Sequence, residues 1–177
     1  RIIFTDKWGN GYTNDHLGYL VKYDAEKKEL INLDIKIPAL PGTPASSIST
    51  GMGATATDST GDAIYGITYY GRLFKYTPSN TGDGEMVDLG DAWGDAKRFN
   101  PQLKAANLSL APNGKLYYAL GGHGVFLTKD ESAALIEFNP ALPQGKGARI
   151  LTSLNKDRVN ELMGSQVVDR DGYLYYG

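Results

Sequence analysis

Few side chains in this 177-residue chain carry reactive chemistry, and they fall in a few short stretches. His16 and His123 are the only two histidines, each in a glycine-containing stretch that reads as a connection between strands. An imidazole titrates near neutrality, so converging histidines can act as a general base or as metal ligands. Neither has an acidic partner at obvious ligand spacing, and a hydrogen-bonded or solvated loop histidine is the ordinary expectation. Arg72 follows Tyr69-Tyr70-Gly71, and its planar guanidinium fork matches a carboxylate such as a uronate. Asp91 and Asp95 bracket Trp93. Two carboxylates at that spacing can serve as acid and base in glycoside cleavage if one pKa is raised. Lys97 and Arg98 stand beside them, so a solvated ion-pair cluster is the simpler reading.

A second chemistry is recognition. Asp6 to Leu17 combines Trp8, Asn10, Tyr12, Asp15 and His16 among glycines. An aromatic face stacks on the apolar face of a sugar, while amides and carboxylates bind its hydroxyls. With Tyr70, Arg72, Trp93 and His123, these residues form the expected ligand-binding set. The competing expectation is an ordered loop in which Trp8 plugs against its neighbour.

The elements that must position these residues recur. Leu20-Val21-Lys22-Tyr23-Asp24-Ala25, Leu73-Phe74-Lys75-Tyr76-Thr77-Pro78 and Leu135-Ile136-Glu137-Phe138-Asn139-Pro140 are three copies of one alternating strand. Each is followed by a second short apolar run. A glycine turn precedes an aromatic strand at Gly61, Gly114 and Gly172, and Asn113-Gly114 and Asp171-Gly172 are hairpin dipeptides. The unit is a meander of four strands, A to D. Within strand C, Val21, Phe74 and Ile136 share a face with Tyr23, Tyr76 and Phe138, and Leu20, Leu73 and Leu135 occupy the other. A sheet apolar on both faces packs between two others. Large-period all-β units of this kind stack radially, and the expected fold is an all-β propeller of four-stranded antiparallel blades.

The expected boundaries are strands B to D of a first blade over 1–37, a second blade over 50–90, a third over 104–153, and strands A and B of a fourth over 164–177. Here Ile2 to Thr5 reads as strand B, so Asp6 to Leu17 becomes a B–C loop. About three to three and a half blades are fewer than a closed ring requires, which leads to the expectation of a fragment whose remaining blades come from the same or another chain. The A–B turns read as minimal, so function is expected on the rim formed by B–C and D–A connections.

Eighteen basic and 20 acidic residues, net charge −2, argue against a nucleic-acid binder. The absence of cysteine removes disulfides and thiolate metal sites, and no apolar run is long enough to span a bilayer. Neither a metal nor a cofactor is expected. A composition rich in tyrosine (12) and glycine (22) leans towards an extracellular or periplasmic protein. Gly51-Met52-Gly53-Ala54-Thr55-Ala56 matches a dinucleotide fingerprint only formally, since no helix is expected to follow it.

Together, the strand phrases, the Asn-Gly and Asp-Gly hairpins and the Gly-x-Leu-Tyr-Tyr strands resemble the bacterial β-propellers with degenerate repeats, the quinoprotein-like, lactonase-like and sugar-lyase-like group. The chain lacks the Trp-Asp ending of WD repeats and the tryptophan-docking phrase of quinoproteins, so the resemblance implies the fold and transfers no site residue. The functional expectation is a binding or scaffold propeller with a carbohydrate or protein partner. The alternatives are a polysaccharide lyase or hydrolase using the rim His, Arg and Asp residues, and a structural subunit.

Overall fold

The computed structural model describes residues 4–42, 51–93, 104–105, 107–121, 134–153 and 166–176, which contain strands and turns and no helix. The first sheet joins β1 (Phe4–Thr5), β2 (Gly11–Asn14), β3 (Tyr19–Asp24) and β4 (Glu29–Lys36) in sequence order. The second repeats this with β5 (Met52–Thr57), β6 (Ile64–Thr68), β7 (Arg72–Thr77) and β8 (Glu85–Asp91). In the third, β9 (Lys104–Ala105) and β10 (Ser109–Leu110) both pair with β11 (Leu116–Gly121), followed by β12 (Ala134–Phe138) and β13 (Ala148–Ser153). A hairpin of β14 (Gln166–Val168) and β15 (Leu174–Tyr176) follows. The ladders are antiparallel throughout.

One turn recurs between the first two strands of every sheet. The Asp6 amide donates to the Asn10 carbonyl at 3.1 Å and the Gly9 amide returns to the Asp6 carbonyl at 3.1 Å. The same pair of bonds joins Asp58 to Ala63 and Gly61, Ala111 to Lys115 and Gly114, and Asp169 to Tyr173 and Gly172. Its glycine has φ of +87° at Gly9, +73° at Gly61, +75° at Gly114 and +87° at Gly172, a region closed to most side chains. This turn corrects the reading of the first blade. Phe4–Thr5 is strand A, Asp6 to Asn10 is the A–B turn, and Gly11–Asn14 is strand B. The blade is a complete four-stranded sheet, and its B–C connection shrinks to Asp15-His16-Leu17-Gly18. Strand B was hidden because Gly-Tyr-Thr-Asn has low intrinsic β-propensity at both ends.

The cores lie between sheets, as the two-faced alternation requires. Phe4, Tyr12, Leu20, Leu33 and Ile37 of the first blade meet Met52, Ile64, Phe74 and Tyr76 of the second. Three rings join there, with Phe4 stacked on Tyr12 at 5.1 Å and Tyr12 edge-on to Tyr76 at 5.5 Å. On its other face the second blade offers Ala54, Ile67, Leu73 and Leu89 to Leu108, Leu116, Tyr118, Leu120, Ile136 and Phe138 of the third. Burying such side chains contributes roughly 1.5–3 kcal/mol each, the main force holding blade to blade.

Polar contacts fix the spacing. The Tyr118 hydroxyl donates to the Ala92 carbonyl at 2.6 Å. The Ala105 amide donates to Tyr69 at 3.2 Å and the Gly145 amide to Leu89 at 3.0 Å. Gly53 is a true close approach, since a methyl group there would overlap the Ala105 carbonyl oxygen. Strand β10 lies alongside both β5 and β14, so the first strands of successive blades run side by side, the arrangement expected around a propeller axis. Between β9 and β10 the strand is interrupted, and Asn107 Oδ1 mends the ladder by accepting the Ala119 amide at 2.7 Å.

Candidate functional site

A four-stranded meander sends its A–B and C–D turns to one rim and its B–C turn to the other. On the B–C rim of the second blade, Thr68-Tyr69-Tyr70-Gly71 forms a tight turn in which the Gly71 amide donates to the Thr68 carbonyl and the Arg72 amide to Thr68 Oγ1. The Ala92 amide donates to the Gly71 carbonyl at 2.7 Å, drawing the start of the D–A connection onto this turn. Trp93 packs over Gly71 and against the core between the second and third blades. Arg72 donates from Nη1 to Asp91 at 2.5 Å and from Nη2 to Asp88 at 2.6 Å. Burial opposes the charge on Arg72, but the bonds to Asp88 and Asp91 raise its pKa above the usual guanidinium range. Its Nε is buried without a hydrogen-bond partner among the described residues.

Arg72 and Asp91 therefore do come together, with Asp88, as an ion-paired clasp between β7 and β8, while Tyr70 lies in the adjoining turn and Trp93 beside Gly71. His16 is exposed in the B–C turn of the first blade. Its neighbour Asp15 accepts the Leu17 and Tyr19 amides, each at 2.8 Å. Burial raises the Asp15 pKa, but those amides and His16 outweigh it and hold the carboxyl below its ordinary value. Asp95 and His123 lie outside the described residues.

The remaining expected residues stand elsewhere. Trp8 and Asn10 lie on the A–B turn, at the rim opposite Tyr70 and Trp93, because Asp6 to Asn10 turns the chain before strand B. Tyr12 is in the core, 1% exposed, with its hydroxyl on Asp6 Oδ2 at 2.8 Å. Burial and the Asp6 bond push its phenol pKa far up. Asn10 is spent on structure, donating to Asp6 Oδ2 and accepting the Ala25 amide. A single ligand-binding rim made of Trp8, Tyr12, Tyr70 and Trp93 does not form.

A groove opens instead on the A–B and C–D rim, between the first two blades. One cleft of about 300 Å³ is lined by Trp8, Asn10, Asp24, Glu26, Lys27 and Asn80. A second of about 420 Å³ shares Asp24, Lys27 and Asn80 with it, and continues over Lys22 and Leu33 to Asp83. The Trp8 amide is anchored on Asp6 Oδ1 at 3.0 Å, and Lys7 Nζ, ion-paired with Asp62, stands 4.8 Å over its indole. The side chain of Trp8 is thus positioned by the turn yet 41% exposed.

Below it Lys22 is 5% exposed, with its ammonium 3.7 Å from Asp24 Oδ2, beyond hydrogen-bond distance. Asp24 Oδ1 accepts the Glu26 and Lys27 amides, and these bonds, the Lys27 one foremost, hold its pKa below the usual carboxylate range. Sequence reasoning missed Lys22, Lys27, Asn80 and Asp83. The available signal was Lys22, a cation at an inward position of strand C.

A third cleft, of about 580 Å³, touches the ends of β5, β10 and β14 and the A–B turns that follow them. It lies beside the first strands, where the channel mouth of a propeller is expected. Among the described residues no group of three or more acidic or histidine side chains is placed to hold a metal ion.

No family model matches the chain, and no curated protein matches it. Among solved structures it is similar to the β-propeller domain of Cps50 (Swd1) from Myceliophteria thermophila, with a TM-score of 0.56 and 12% identity. The likeness covers 99% of this chain and 47% of that one, so the chain spans about half the length of its structural neighbour. Repeated four-stranded sheets, cores between sheets and this likeness agree on a β-propeller.

Proposed function

We propose that this chain is a non-catalytic propeller that binds a partner on its A–B and C–D rim. The observation that carries this is the groove between the first two blades, where an exposed Trp8 lines one cleft and Lys22, its stem buried and its ammonium without a hydrogen bond among the described residues, lines the next. Exposed aromatics beside fixed polar groups are typical of recognition surfaces. A carbohydrate and a protein loop are the two partner classes this surface suits. An extracellular or periplasmic setting and kinship with the bacterial degenerate-repeat propellers belong to the same proposal.

The lyase or hydrolase reading is weaker. Arg72 would have to release Asp88 and Asp91 to take a uronate, and Asp91 itself is spent on that ion pair. Immobilised protein screened against glycan and peptide arrays, with Trp8→Ala in parallel, tests the proposal. Binding that Trp8→Ala abolishes without lowering Tm supports it. Turnover of a uronate polymer that is lost in His16→Ala would replace it with the enzymatic reading.

A further inference from the structure

We infer that the groove between the first two blades takes a neutral oligosaccharide, with Trp8 as its stacking platform. This rests on the binding role proposed above and names the ligand class. The two clefts share three lining residues and so form one trough, each part within the size range of small-ligand sites. An aromatic wall stands at one end, its backbone held through the Trp8 amide by Asp6 and one ring face approached by Lys7. The trough carries both donors and acceptors. Lys22 and Lys27 only donate, Asp24, Glu26 and Asp83 only accept, and Asn80 and Thr81 do both.

Charge decides between ligand classes. Two ammonium groups face three carboxylates, and each ammonium already has an acidic neighbour, Lys22 with Asp24 at 3.7 Å and Lys27 with Glu29, outside the trough, at 3.9 Å. A multiply charged ligand of either sign would meet repulsion from half the groove. A polyol meets none, because every hydroxyl both donates and accepts. Lys22 adds the directional element: its stem is buried, and its ammonium, 3.7 Å from Asp24, has no acceptor within hydrogen-bond reach among the described residues, which leaves it to donate into the trough. A sugar hydroxyl supplies that acceptor without removing the Asp24 charge that keeps Lys22 tolerable. The apolar face of the same ring stacks on the indole.

The test is a ¹H–¹⁵N titration of the full chain, whose two tryptophans give two indole signals. The probes are maltotriose, cellotriose, xylotriose and mannotriose, against trigalacturonate and an acidic hexapeptide. At least one neutral trisaccharide is expected to shift the Trp8 indole and the Asn80 amide saturably and leave Trp93 unmoved. Trp8→Ala and the near-isosteric Lys22→Met should each weaken that binding at least tenfold, with unchanged β-sheet circular dichroism certifying the fold. Shifts only with trigalacturonate or the peptide would overturn the neutral-sugar inference and leave the binding role standing. If no probe moves any resonance of the trough, both fall.

Discussion

Replacing Asp6 by alanine isolates what the recurring A–B turn contributes. Asp6 is 7% exposed and its carboxylate accepts four bonds: the Trp8 amide at 3.0 Å, the Asn10 amide at 2.9 Å, Asn10 Nδ2 at 2.8 Å and the Tyr12 hydroxyl at 2.8 Å. The last three are buried. A buried donor stripped of its acceptor costs roughly 1–3 kcal/mol, and partial relaxation towards water trims the total, so Asp6→Ala should cost about 3–5 kcal/mol. Asp169 builds the same turn in the fourth blade, accepting the Asp171 and Tyr173 amides and the Tyr175 hydroxyl. Those three donors are exposed, so water replaces the carboxylate and Asp169→Ala should leave the unfolding midpoint close to wild type.

The contrast separates burial from bond count. Equilibrium urea unfolding followed by circular dichroism measures both variants, and Tyr12→Phe combined with Asp6→Ala should cost less than the two single changes added together. Equal shifts for Asp6→Ala and Asp169→Ala, or a cost for Asp6→Ala under about 1 kcal/mol, would refute the reasoning.

Three further outcomes are expected. Gly53→Ala should destabilise by about 3 kcal/mol, because its methyl group drives the second blade off the Ala105 carbonyl; Gly114→Ala, with φ +75° but open space around it, should cost about 1 kcal/mol, and thermal melts compare them. Arg72→Met should lower stability by about 1–2 kcal/mol through the loss of both ion pairs, whereas a catalytic Arg72 would lose turnover at unchanged Tm.

Stability should also fall towards both extremes of pH. Asp15, Asp24, Asp62 and Glu137 titrate below their ordinary values in the folded chain. Their contribution is therefore present above the unfolded pKa near 4 and lost as pH drops through the folded one. Burial raises the Tyr76 phenol to about 12, so its contribution is present below the unfolded value near 10 and lost as pH climbs towards 12. A Tm profile that is flat from pH 4 to pH 2 would contradict the acid limb.

Strand C announced itself in all three copies because alternation survives single polar substitutions: Leu73 faces the third blade and Phe74 the first, as the pattern required. Gly61, Gly114 and Gly172 likewise sit where a turn needs positive φ. Asp6-Lys7-Trp8-Gly9 carries the same signal as Asp169-Arg170-Asp171-Gly172, but a two-residue β1 before it and glycine at the start of β2 left too little apolar pattern to recognise a blade. That one misplaced turn moved Trp8 and Asn10 to the wrong rim and left Tyr12 on the surface. The groove was harder still. Lys22 and Asn80 are 58 residues apart, and only the docking of two blades places them on one trough.

The claim on which all else depends is that each blade packs on the next through the cores between sheets. Two backbone bonds cross the junction between the second and third blades, Ala105 N–H to Tyr69 and Gly145 N–H to Leu89. Amide exchange with through-bond couplings across both hydrogen bonds measures the docking directly. Couplings to Tyr69 and Leu89, with protection matching that of amides inside β7 and β11, are the expected result. Free exchange at Ala105 and Gly145 beside protected strand amides would mean that the second and third blades form without packing together, contrary to this account.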